Sequence, residues 1–196
     1  MTVSPQAQPG PPAAMQPARR RPIVAVSIAV AVGVAVSVGL GVYGRLHTPT
    51  GVAVNIRGFS SPVAVKAWLA TVVFAFGLFQ FGSALVMYGK VPGVRAPSWI
   101  GAAHRWSGRI AVLISVPVAV QCLYALGFQD FTVRALVHSM LGCFFYGAFV
   151  AKMLLLSRSD SPGWALPVVG GLLFAALTGI WLTAALWFFT TFGFTF

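Results

Sequence analysis

The chain has 196 residues, of which 58% are hydrophobic and only 8% charged, with a mean hydropathy of +0.88. Soluble domains carry about 25% charged residues, so these side chains cannot build a water-facing surface, and a soluble globular enzyme is excluded. Two cysteines exclude a disulfide scaffold. Against 13 Lys+Arg stand 2 Asp+Glu, and the basic residues lie outside or at the ends of long apolar runs. They read as topology signals, not as a nucleic-acid surface.

Residues 1–22 hold six of the 13 prolines with Ala and Gln and no apolar period, the composition of a disordered cytoplasmic tail. Arg19-Arg20-Arg21 then precedes an apolar run too long for a usual signal core and without a nearby cleavage pattern, so an uncleaved anchor is expected. A spanning helix needs about 20 mostly apolar residues. Five stretches qualify: 23–43, 67–88, 106–126, 135–156 and 165–191. The second begins earlier as a helix, because Ser61-Pro62 reads as an N-cap followed by proline at the first helical position. Pro117 is expected to kink the third helix. Short connections at Phe128–Arg134 and Ser157–Trp164 make helices three to five antiparallel hairpins. The fold class is all-α: one integral membrane bundle of five transmembrane helices over 23–196.

The positive-inside rule sets the expected orientation. With the N-terminus inside, the inner segments carry Arg19, Arg20, Arg21, Lys90, Arg95, Arg105, Arg109, Lys152 and Arg158. Arg45, Arg57, Lys66 and Arg134 fall outside. Nine against four places the N-terminus in the cytoplasm and the C-terminus outside, in a multi-pass protein of the plasma membrane.

The spans contain little chemistry. Asp130 and Asp160 both fall in loops, and the lack of a carboxylate in any predicted span counts against proton-coupled transport. Gln80, Ser83, Ser115, Gln121, Thr178 and Thr183 read as interhelical hydrogen-bonding groups. The glycines of helices one, four and five read as packing positions, and Trp68, Trp99, Trp106 and Trp164 as interface anchors. Cys122 and Cys143 read as buried free thiols.

Three histidines remain. His47 follows helix one, His104 enters helix three, and His138 lies one turn into helix four. Two of them share a pattern, His104-Arg-Trp-Ser-Gly108 and His138-Ser-Met-Leu-Gly142. On a helix the glycine falls one turn from the histidine on the same face. An imidazole beside a bare patch of backbone suits a flat porphyrin, and haem iron takes His or Met as axial ligands.

These two short motifs resemble the His-Ser-x-x-Gly and His-Arg-x-x-Gly segments of cytochrome b561-type membrane proteins and their relatives, a resemblance that covers helices three and four, about a quarter of the chain. The resemblance implies haem b on such histidines and electron transfer across the bilayer, with a redox partner protein or a quinone as partner. That family uses four transmembrane histidines, two for each haem, where the confident spans here supply His104 and His138. The whole chain is also similar to small bacterial five-helix membrane proteins of unassigned function. From His104 to Phe128 a helix rises about 36 Å, whereas His138 lies about 5 Å from its own helix end. The two histidines therefore belong to opposite membrane faces and cannot ligate one haem.

An outer site would pair His138 with His47, and an inner one would pair His104 with Met87 or Met153. Gly108 and Gly142 would supply the bare patches. Arg105, Arg109 and Lys90 are expected to meet propionates inside, with Arg45 or Arg134 doing so outside. The alternatives are a cofactor-free membrane subunit or assembly factor of a larger complex and, with less support, a small transporter. Substrate chemistry is not expected; at most the chain is an electron-transfer component.

Overall fold

The computed structural model describes residues 22–159 and 161–196. The expected tail over 1–22 lies outside them except for Pro22, and so does Asp160. Five helices are long and apolar enough to cross a membrane: α1 (Pro22–Leu46), α2 (Pro62–Met87), α3 (Ile100–Leu126), α4 (Val133–Leu156) and α5 (Ala165–Phe192). No strand occurs among the described residues. The chain is an integral membrane protein, and large apolar side chains such as Val38, Leu113 and Val133 cover its outer surface.

The expected starts shift toward the N-terminus for physical reasons. Ser61 caps α2, its hydroxyl accepting from the Ala64 N–H at 3.1 Å, with Pro62 in the first turn. Thr132 caps α4 in the same way through Ala135. Helix α3 starts at Ile100, six positions before the expected span, because the polar His104-Arg105 pair lowers hydropathy without breaking a helix.

Proline 117 does not end α3. The helix continues to Val120 and then widens into a π-turn over Gln121–Leu126. A second π-turn interrupts α5 at Leu182–Leu186. Such turns free backbone carbonyls from the helical ladder, and both lie in the half of the bundle that holds the C-terminus.

Neighbouring helices run in the order α1, α4, α5, α2, α3, and the π-end of α3 also reaches α1. Helices α1 and α4 approach closely at Gly33 and Gly147. A Cβ on Gly33 would stand 2.7 Å from the Gly147 carbonyl oxygen, and one on Gly147 would strike Ser37 and the Gly33 carbonyl. Between α4 and α5 the core is Phe145, Ala148, Leu173 and Ala176, and between α2 and α5 it is Ala64, Ala67, Ala185, Phe188 and Phe189. Phe81 and Phe174 stack across α2 and α5 at 4.6 Å. Trp181 stacks on Phe74 and donates to Thr71 on α2 at 3.0 Å, so it faces protein and not lipid.

The loops complete the C-terminal face. Phe128 N–H donates to the Gly44 carbonyl at 2.7 Å, tying α3 to α1. Trp68 donates to the Thr195 carbonyl at 3.0 Å and stacks on Phe196, which gives it more than an anchoring role. Arg45 and Asp130 form an ion pair at 2.6 Å.

Because Gly147 meets α1 backbone while Gly39 meets open space, the two positions should respond differently to the same change. Gly147→Val is expected to cost about 2 kcal/mol or more by overpacking and to lower the thermal midpoint of the detergent-purified protein. Gly39→Val should move that midpoint far less. Equal effects at both positions would count against this α1–α4 contact.

Candidate functional site

The two His-x-x-x-Gly segments have the same spacing and different surroundings. His104 sits in the second turn of α3 against α2. Its Nδ1 is 2.7 Å from the Ser83 hydroxyl, which also lies 3.1 Å from the Gln80 carbonyl. Gln80 donates to the His104 carbonyl and to the Ser107 hydroxyl, the latter at 2.7 Å. Ser107 in turn donates to the His104 carbonyl at 3.2 Å. Ser83 and Ser107 are buried. Together these groups form a polar clasp between α2 and α3, and a hydrogen-bonded clasp satisfies groups that hydrocarbon cannot.

The clasp also occupies the patch beside Gly108. A Cβ there would stand 3.2 Å from the Gln80 amide, so this glycine makes room for a glutamine side chain and not for a flat ring. Arg105 and Arg109 are exposed, and Arg109 lies over Trp106 at 5.1 Å. Met87 and Met153 are 38% and 48% exposed, and neither enters the clasp. The expected inner constellation is thus replaced by a packed polar junction.

At the other end, His138 lies in the second turn of α4 and faces the π-turn of α5. Its Nδ1 is 3.1 Å from the Thr183 hydroxyl. Thr183 has one proton to give, and the Gly179 carbonyl stands at 2.7 Å with the Ile180 carbonyl at 3.1 Å. With that proton directed to the backbone, Nδ1–H of His138 donates to Thr183 and the Nε2 lone pair stays free. One turn along α4, nothing lies within 4 Å of the place a Cβ on Gly142 would take. His138 therefore combines a fixed ring, a free ligating nitrogen and an open neighbouring patch.

His47 does not join it. The ring is stacked between Tyr43 and Tyr124, each at 5.0 Å, and Nε2 bonds the Tyr124 carbonyl at 3.0 Å. A carbonyl only accepts, so that nitrogen carries the proton and has no lone pair for a metal. His47 serves as a cap for the π-end of α3, beside Thr50 and Gly51, whose N–H groups reach the Tyr124 and Ala125 carbonyls. His47 meets α1 and the end of α3, whereas His138 faces α5.

Among the described residues no three His, Cys, Asp or Glu side chains cluster to hold a metal ion. Cys122 and Cys143 are free thiols. Arg134 donates to the Thr183 carbonyl at 2.6 Å and lies over Trp187 at 3.9 Å. Composition cannot show that contact, since it joins residues 49 apart through a π-turn. Gln121, only 9% exposed, keeps a buried Nε2 with no partner, unlike the other interhelical amide, Gln80.

The chain belongs to the DUF6529 family. This is a family of unknown function, and its model matches residues 25–196, the whole helical bundle but for its first residues. No curated protein and no solved structure matches the chain.

The clasp at His104 is a packing device, so its loss should be read as lost stability. Gln80→Ala is expected to destabilise the bundle by about 1 kcal/mol, the scale of interhelical hydrogen bonds in membranes, measured as a lower thermal midpoint. Met153→Leu should leave the midpoint in place. A Gln80→Ala protein as stable as the parent would remove the clasp from the account.

Proposed function

We propose that this integral membrane protein carries haem b at the C-terminal face of the bundle, where the His138 imidazole would hold it. In this reading it passes electrons between a quinone in the bilayer and an acceptor on that side. The observation that carries it is His138 itself: Nδ1 is held by Thr183, Nε2 has no hydrogen-bond partner among the described residues, and Gly142 opens beside it. Ligating histidines are held through the second ring nitrogen, which fixes the tautomer and the orientation of the ring. When bound, haem supplies a one-electron couple; the chain's part is to hold the imidazole and exclude water. With Gly108 filled by Gln80, one site at the His138 end is the better fit, and a lipid-soluble donor suits a single site. The excess of basic residues on the N-terminal side supports a reading in which this end faces outward from the plasma membrane.

A cofactor-free membrane subunit is the second reading. It is favoured by the Gln80 clasp and by the Tyr43–His47–Tyr124 stack, which use two of the three histidines in packing.

The two readings separate in a reduced-minus-oxidised absorption spectrum of the full-length protein, expressed with ample haem. A haem b band is expected, abolished in His138→Ala and kept in His47→Ala. A spectrum without any haem band overturns the proposal and leaves the cofactor-free subunit. A band that survives His138→Ala would move the ligand elsewhere.

A further inference from the structure

Arg134, His138 and Gly142 follow one another along α4 at every fourth position, so they share one face of the helix. The first two meet the π-turn of α5, where a single residue grips both. The Thr183 carbonyl accepts from Arg134 at 2.6 Å, and the Thr183 hydroxyl lies 3.1 Å from Nδ1 of His138. The Arg134 guanidinium also lies over the Trp187 ring, 3.9 Å from its centroid. Arg134, His138 and Thr183 are all half-buried, where water does not readily replace a lost partner.

The protons at Thr183 give this grip a chemical consequence. Its hydroxyl has one proton and three acceptors in reach: the Gly179 carbonyl at 2.7 Å, the Ile180 carbonyl at 3.1 Å and Nδ1 of His138 at 3.1 Å. If the proton goes to the backbone, Nδ1 carries the ring proton and Nε2 is bare. If it goes to Nδ1, the ring proton sits on Nε2, which then cannot ligate. The course of the π-turn decides between them. An α-helix sends the N–H of residue 187 to the carbonyl of residue 183, but here the Trp187 N–H goes to Ala184. Arg134 takes up the Thr183 carbonyl, and Thr183 so held keeps its hydroxyl on Gly179 and Ile180.

We propose that Arg134 is the positioning residue for His138: acting through Thr183, it sets which ring nitrogen carries the proton and keeps Nε2 bare. Arginine suits the task because its planar fork donates to the carbonyl while its flat face lies on the indole; lysine supplies a donor and a charge without that face. The inference rests on the electron-transfer reading for what Nε2 would hold, whereas the state of the ring is a property of the chain itself. The two can therefore be tested apart.

The test is nitrogen NMR of the full-length protein, isotope-labelled at histidine and purified without added haem at about pH 8, above the ordinary imidazole range. His138→Ala assigns the signal. The parent is expected to show a protonated Nδ1 and a bare Nε2. Arg134→Gln should shift the ratio of the two ring forms toward Nε2–H about tenfold, the scale of one charge-assisted hydrogen bond, and Arg134→Lys should recover part of the loss. Thr183→Val removes the hydroxyl at nearly constant shape and should release the ring in the same direction, which keeps the test open if Arg134→Gln lowers the thermal midpoint too far. A parent ring protonated at Nε2, or a ring in the variants the same as the parent's, overturns the proposal. Haem titration of the same samples is scored separately: uptake about tenfold weaker in Arg134→Gln than in the parent is expected. A parent that takes up no haem while its ring is in the expected form overturns the electron-transfer reading and leaves the role of Arg134 standing.

Discussion

Every backbone carbonyl that leaves its helical ladder within the lipid needs a donor from the protein, because hydrocarbon supplies none. Much of the C-terminal half of this bundle follows from that demand. The π-turns at the end of α3 and within α5 each free carbonyl groups, and each is met by a different device. At α3 the donors are His47 and the N–H groups of Thr50 and Gly51, which draws the α1–α2 loop across the helix end. At α5 the donor is Arg134, which fixes the first turn of α4 against Trp187. The same turn presents the Thr183 hydroxyl to His138. Polar side chains that look sparse in composition are thus spent at the places where the helices loosen.

The elements legible in the sequence are those controlled locally. Apolar runs of about 20 residues mark the spans, and Ser61-Pro62 marks the start of α2, because length and capping are properties of neighbouring residues. The π-turns were not legible, since Pro117 predicts a kink and the widening begins only at Gln121. Nor was the order α1, α4, α5, α2, α3, because helices in lipid gain nothing from burying apolar surface and choose partners by shape. Gly33 and Gly147 identify the α1–α4 pairing once both are seen together. Read singly, each is one small residue among many.

The histidine motifs show where a local pattern stops being informative. His-x-x-x-Gly guarantees that imidazole and bare backbone share a helix face, and both copies satisfy it. What fills the bare face depends on the next helix. α2 contributes Gln80 and closes the patch at Gly108, whereas the patch at Gly142 stays open. Spacing alone gives the two sites equal standing, and packing separates them. His47 illustrates the converse: its position near the helix end allowed pairing with His138, but the freed carbonyl of Tyr124 has a stronger claim on its nitrogen.

Charge links these observations. Thirteen basic residues against two acids is a topology signal for most of the chain, since Lys and Arg at helix ends extend toward the headgroups. Arg109 over Trp106 fits that role. Arg134 departs from it, because a guanidinium held on a backbone carbonyl cannot also follow the water boundary.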